Sequence, residues 1–159
     1  MQLKKYTDYG LRILMYLGAK ESAKERAKES SNERTEASER LTTIKDICET
    51  FSLSSNHVNK VVHHLGRLHL IETRRGKNGG FFLAKAPNEI RLDYVIRQLE
   101  GDEPWIECHN PYCVALPACE LNGIVARGKE LFYDYLREFT LADLLKKRGQ
   151  LQQIFLTAS

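Results

Sequence analysis

The chain of 159 residues contains no apolar run approaching the roughly 18 that a membrane span needs. Its opening, Met1 to Tyr6, is not followed by the apolar block of a signal peptide. A cytoplasmic location without a membrane partner is therefore expected. Cysteine is scarce, with only Cys48, Cys108, Cys113 and Cys119. In a reducing compartment that number does not make a disulfide scaffold. No internal repeat is present. No Ser-His-Asp arrangement has suggestive local context, and the glycines at 76, 79 and 80 do not follow the phosphate-loop pattern, so an enzyme is not expected. Charge of one sign is also nearly absent, with 24 basic against 21 acidic residues for a net of +3. An apolar fraction of 42% against 28% charged excludes a disordered tail and allows a packed core.

What is present has a clear order. Leu11, Ile13, Leu14, Met15, Leu17 and Gly18 share a helical face over Asp8 to Ala19, with Thr7 or Asp8 as the expected N-cap. From Lys20 to Arg40 six basic and six acidic residues leave almost nothing to bury, which reads as a solvated helical extension or loop. Ile44, Ile47, Cys48 and Phe51 then form the inner face of a short helix, with Cys48 as a small core residue. After a turn at Leu53-Ser54-Ser55, a second helix turns Val58, Val61, Val62, Leu65 and Leu68 inward. Its outer face presents Asn56, His57, Asn59, Lys60, His63, His64 and Arg67.

Two strands, at about 70–75 and 81–84, follow around the tip Gly76-Lys77-Asn78-Gly79-Gly80. A helix-turn-helix followed by such a hairpin is a winged helix. Between Thr42 and Ile90 seven basic residues face four acidic ones, so the whole positive excess lies here. Asn56, His57, Asn59 and Lys60 are placed to read base edges, and Ser54 and Ser55 to cap the helix or position a phosphate. Arg74, Arg75 and Lys77, with Asn78 beside them, can reach phosphates or a minor groove from the wing tip.

The expected fold is mainly α with a small β-wing: a winged helix-turn-helix DNA-binding domain over 1–90, carrying a polar insertion at about 21–40. Residues 91–120 supply a connecting helix and a cysteine loop, 121–148 a long dimerisation helix and a short terminal helix, and 149–159 a tail. Ile124, Val125, Phe132, Tyr135, Leu136 and Phe139 form the broad apolar stripe of the long helix.

No lysine or arginine occurs from Gln98 to Ala126, a stretch that holds Pro104, Pro111 and Pro117 and three cysteines. Cys108, Cys113 and Cys119 repel one another as thiolates unless they are protonated, disulfide-bonded or joined by a cation. Zinc or an iron–sulfur cluster would each serve. His109, Glu107, Glu120 and a distant Asp8 are all available as a fourth ligand, and spacing does not choose among them.

Three segments carry a resemblance. Tyr6-Thr7-Asp8-Tyr9-Gly10-Leu11-Arg12, Asn56-His57-Val58-Asn59-Lys60-Val61-Val62 and Arg74-Arg75-Gly76-Lys77-Asn78-Gly79-Gly80 resemble the iron–sulfur winged-helix regulators, and among them the nitric-oxide-sensitive repressors. The cysteine spacing and Phe139 to Leu144 agree. That resemblance implies a homodimer on an inverted-repeat operator in double-stranded DNA, with one cluster per subunit and nitric oxide as the signal for release. It implies Cys108, Cys113 and Cys119 as ligands, with Asp8 reaching across from the other subunit, and a [4Fe-4S] cluster in preference to [2Fe-2S]. The related cluster-homeostasis regulators would carry a histidine three residues after the last cysteine, where this chain has Asn122. Such a regulator, or a zinc-stabilised winged helix, is the alternative expectation.

Overall fold

A computed structural model describes residues 2–30 and 41–158. Helix α1, Lys5–Ser30, leads into α2, Ile44–Phe51, and α3, Ser55–Arg67. Strands β1, Ile71–Arg74, and β2, Gly80–Leu83, form an antiparallel hairpin in which Ile71 faces Leu83 and Arg74 faces Gly80. A 3-10 turn at Pro87–Glu89 precedes α4, Leu92–Glu100. The cysteine loop then runs to α5, Leu121–Leu136, followed by α6, Leu141–Leu144, and α7, Arg148–Thr157. The expectation of a mainly helical chain with a small wing holds. Of the polar insertion, residues up to Ser30 continue α1, and the remainder, 31–40, lies outside the described residues. Among the described residues no helix is long and apolar enough to cross a membrane.

The core forms where the apolar faces meet. Ile13, Leu14 and Leu17 of α1, Ile47 of α2, and Val58, Val61 and Leu65 of α3 are fully buried against Ile71, Phe81, Val95 and Leu141. Each such side chain contributes about 1.5–3 kcal/mol through removal from water, offset by the ordering of the chain. Cys48 is half-buried at the edge of this cluster, as its helical position predicted.

Local chemistry sets the helix ends. The Thr43 amide donates to Asp46 Oδ2 at 2.7 Å while the Asp46 amide donates to Thr43 Oγ1 at 3.3 Å, a reciprocal capping box that starts α2. Ser52 takes a left-handed conformation, φ 52°, and the Leu53 amide returns to the Cys48 carbonyl at 3.1 Å. That turn aims α3. The Thr140 amide and hydroxyl both donate to Asp143 Oδ2, at 2.9 and 3.1 Å, and fix the start of α6.

Three expectations change. The first helix begins at Lys5, so neither Thr7 nor Asp8 is an N-cap; the amides of Thr7 and Asp8 donate to the Lys4 carbonyl at 3.0 and 3.2 Å. The stretch expected as a tail from 149 onward is largely helical, forming α7 from Arg148 to Thr157. Its Phe155 packs on Tyr16 and Phe51, and Arg148 and Gln152 donate to the carbonyls of Gly18 and Ala19 at α1. The apolar stripe of α5 divides into two faces. Phe132, Tyr133 and Leu136 pack on Leu92 and Ile96 of α4, whereas Ile124 and Tyr135 are 67% and 62% exposed. Tyr133, absent from the expected stripe, is the most buried side chain of that helix.

Candidate functional site

Helix α3 lies with its apolar face in the core, which obliges the opposite face to meet solvent. Ser55, Asn56, His57, Asn59, Lys60, His63 and Arg67 are exposed along it. Ser54 occupies the N-cap position without a side-chain cap bond. Asn59 Nδ2 donates to the Ser55 carbonyl at 2.9 Å, so one edge of its amide is committed to the helix itself. His64 departs from the expected outer face. It is half-buried, its Nδ1 lies 3.1 Å from the Tyr6 hydroxyl, and burial first, with Arg67 and His63 behind it, lowers its pKa.

The wing projects Arg74, Arg75, Lys77 and Asn78, all exposed. The tip is shaped by glycine. Gly76 has φ +111°, and a Cβ on Gly80 would fall 2.5 Å from the Thr42 carbonyl oxygen. That close approach lets Thr42 pair with Phe81, whose amide donates to the Thr42 carbonyl at 2.8 Å, and so ties the wing to the segment before α2. Arg74 lies over the Phe82 ring, 5.3 Å from its centroid, on the outer face of the hairpin. Helix α3 and the wing thus present polar and cationic groups from one core, chemistry that a DNA groove with flanking phosphates would match.

The cysteine loop is a series of tight turns. The Cys113 amide donates to the Cys108 carbonyl at 3.0 Å, the Leu116 amide to Cys113 at 3.0 Å, and the Cys119 amide to Leu116 at 3.4 Å. Glu107 accepts from the His109 and Asn110 amides at 2.7 and 3.1 Å, which keeps its carboxyl below the usual range. Cys113 and Cys119 are exposed and Cys108 half-buried, all as free thiols. Burial pushes the Cys108 thiol up, and the charges of Cys113, Cys119 and Glu107 push it further.

The three sulfurs therefore sit within electrostatic reach of one another, a donor set that gains from a shared cation. Among the described residues no three His, Cys, Asp or Glu side chains converge on one point as a single metal ion demands. Three cysteine sulfurs are a soft donor set, chemistry that zinc and the iron of an iron–sulfur cluster both accept. Cys48 stands apart at the edge of the core, and Asp8 is not gathered to the three cysteines within this chain. Asp8 is instead bidentate to Arg12, with Nε and a terminal nitrogen each 2.9 Å from its two oxygens.

Polar contacts tie the loop's first residues to the rest of the chain, and sequence patterns did not point to them. The Lys4 amide donates to Glu100 Oε1 at 2.7 Å, its ammonium donates to the Glu100 carbonyl, and Glu103 lies 3.8 Å from that ammonium. On the other side the buried Lys129 of α5 donates to the Glu103 carbonyl at 3.0 Å and approaches Asp102 at 3.4 Å. Arg97 of α4 bonds Glu130 at 2.8 Å while lying 4.1 Å over the Tyr133 ring. Trp105, the sole tryptophan, packs on Phe132 of α5 with ring centroids 6.0 Å apart. Lys4 and Lys129 carry no periodicity or motif, which is why only the folded chain reveals them.

The chain is similar to known proteins in sequence and in fold. The chain is 40% identical over 157 residues to the HTH-type transcriptional regulator NsrR of Geobacillus kaustophilus, covering 97% of this chain and 96% of that one. It is 38% identical over 154 residues to NsrR of Oceanobacillus iheyensis, with 95% and 94% covered, and 36% identical over 157 residues to NsrR of Bacillus subtilis, with 97% of each covered. Among solved structures, IscR of T. potens superposes with a TM-score of 0.64 at 22% identity, covering 96% of this chain and 91% of that one. CymR of B. subtilis, the global cysteine regulator, superposes with a TM-score of 0.58 at 26% identity, covering 91% and 95%. These likenesses carry the winged-helix fold, and a family profile matches residues 3–147. The chain belongs to the Rrf2 family, described as iron-dependent transcriptional regulators.

Proposed function

We propose that this regulator is a nitric-oxide-responsive transcriptional repressor acting as a homodimer on inverted-repeat operator DNA. In this reading Cys108, Cys113 and Cys119 of one subunit and Asp8 of the partner subunit hold an iron–sulfur cluster, [4Fe-4S] in preference to [2Fe-2S]. The observation that carries it is the cysteine trio: three cysteines whose thiolates would repel one another, in a segment without lysine or arginine, in a chain 36–40% identical to regulators named NsrR. Asn122, where a cluster-homeostasis regulator would carry histidine, supports the same choice. When bound, the cluster supplies iron open to attack by nitric oxide.

The chain's own residues account for the rest. A carboxylate is a hard and weak partner for iron beside three thiolates. Arg12 already holds both Asp8 oxygens at 2.9 Å, so the carboxylate has a resting place whenever it is not a ligand. The same stretch of α1 places Tyr6 and Tyr9 against α3, with the Tyr9 and His57 rings 6.3 Å apart. Holding or freeing Asp8 therefore acts on the helix that supports the reading head. Leu121, Ile124, Leu131 and Tyr135 form an exposed apolar row on α5 at spacings of three, seven and four residues, suited to a two-fold helical seam. Moving operator occupancy from about 99% to about 1% takes about 5.5 kcal/mol of differential stabilisation, a scale that several linked contacts across a dimer can supply.

Replacing Cys113 by alanine tests the reading. The variant is expected to remain a folded dimer and to lose nitric-oxide-sensitive operator binding. Retention of that binding at the wild-type level would refute the assignment of the cluster.

A further inference from the structure

Tyr6 makes the polar contact between the first turn of α1 and the middle of the reading helix. Its hydroxyl donates to the Lys60 carbonyl at 3.1 Å and lies 3.1 Å from His64 Nδ1, with the two rings tilted at a centroid distance of 5.8 Å. The Lys60 carbonyl also takes the helical bond from the His64 amide, so one oxygen serves α3 and α1 together. Lys60 is itself exposed on the DNA-facing side. Two residues earlier, Lys4 bonds Glu100 at the end of α4 and sits beside Glu103, where the cysteine loop begins. The intervening Lys5 opens α1, so a contact on the loop and a contact on the reading helix lie within three consecutive residues. A displacement of Lys4 that carries the first turn of α1 with it would shift the Tyr6 hydroxyl from the Lys60 carbonyl, and a hydrogen bond weakens steeply with distance and angle.

We propose that Tyr6 is the positioning residue that sets the reading helix according to the placement of the cysteine loop, through Lys4 on one side and the Lys60 carbonyl on the other. Tyr6 needs no contact with DNA or with a metal ligand for this role. Its hydroxyl supplies one directed bond, while its half-buried ring keeps α1 seated. The proposal rests on reading α3 as the DNA-contacting helix and the loop as the sensing element, and it concerns the route between them.

The test uses the full chain, with Tyr6→Phe preserving the ring and removing only the hydroxyl. Operator affinity is measured anaerobically, for cluster-loaded and cluster-free protein, on a labelled duplex selected from a random library by the wild-type protein. The loaded-to-free affinity ratio is expected to fall by about fivefold, the worth of one hydrogen bond, with the free form within about twofold of wild type. An equal shift in both forms, or none, would mean that Tyr6 serves packing alone and would overturn the proposal.

A second arm needs neither cluster nor DNA. Hydrogen exchange at the His64 amide is compared in wild type, Lys4→Ala, Tyr6→Phe and the double variant. Acceleration by Lys4→Ala that disappears in the Tyr6→Phe background supports the route; equal acceleration in both backgrounds, or none in either, overturns it. Should loaded and free wild-type protein bind the duplex equally, the nitric-oxide reading fails and the exchange cycle alone decides the role of Tyr6.

Discussion

Removing two exposed cations of the wing tip, Arg75→Ala with Lys77→Ala, gives the sharpest quantitative expectation for DNA binding. Both side chains are exposed beyond the end of β1 and stand on a loop that contributes nothing to the core. Arg74 differs, since it lies over the Phe82 ring at 5.3 Å and part of its surface is committed to the hairpin. If Arg75 and Lys77 each neutralise one phosphate, the slope of log affinity against log salt should flatten by about 0.9 per residue, or about 1.8 in all. Between 50 and 200 mM salt the wild-type advantage should then shrink by about 12-fold, which is about fourfold raised to the power 1.8. Stability should remain within about 0.5 kcal/mol, because no buried contact is lost. Fluorescence anisotropy on one duplex at four salt concentrations gives the slope. An unchanged slope with weakened binding would refute phosphate contact by the wing tip.

Two glycines should respond in opposite directions. A Cβ on Gly80 would press on the Thr42 carbonyl and on Leu41 Cβ, at 2.5 and 2.7 Å, so Gly80→Ala should lower stability by about 1–3 kcal/mol in urea unfolding. Nothing lies within 4 Å of a Cβ on Gly66 inside α3, so Gly66→Ala should raise stability by about 0.5–1 kcal/mol in the same assay. Asp143 titrates at about 2 because the Thr140 amide and hydroxyl and Lys146 favour its charged form. Its folded value lies below its unfolded one, so its stabilisation is present above about pH 4 and is lost as pH falls toward 2. Asp143→Asn should therefore show a shallower loss of stability across that window in acid titration followed by circular dichroism.

Periodicity made the DNA-binding part legible. Val58, Val61, Val62 and Leu65 recur at helical spacing, and burying them forces Asn56, His57, Lys60 and His63 outward, so one face of α3 determines the other. Two short runs, Leu70 to Arg75 and Phe81 to Ala84, around a glycine-rich tip likewise marked the wing. Position along a helix did not reveal that His64, on the polar side, is covered by Tyr6 from a residue 58 places away. The pairing of Thr42 with Phe81 was equally hidden, because it depends on the missing Cβ of Gly80 and on tertiary approach. Helix α7 has a weak local signal: Leu151 and Phe155 face α1, whereas Ile154 and Leu156 are exposed and blur the amphipathic pattern.

The cysteine trio was legible as chemistry, since three cysteines crowded into a segment without lysine or arginine are a soft donor set whose thiolates would gain from a shared cation. The role of the loop's flanks was not. Lys4, Arg97 and Lys129 read as ordinary charges in sequence, yet they bond Glu100, Glu130 and Glu103 respectively and fix the loop between α1, α4 and α5. Asp8 could be singled out only through resemblance, because its ion pair with Arg12 four residues on is what any exposed helix offers.

The central claim is that a nitric-oxide-labile cluster governs operator binding. It is tested most directly by titrating anaerobically isolated protein with nitric oxide while following absorbance and operator binding in parallel, after iron and sulfide analysis. The account predicts about four iron and four sulfide per subunit, with loss of the cluster spectrum tracking release of DNA. Zinc without sulfide, or operator affinity unchanged after the cluster is destroyed, would contradict it.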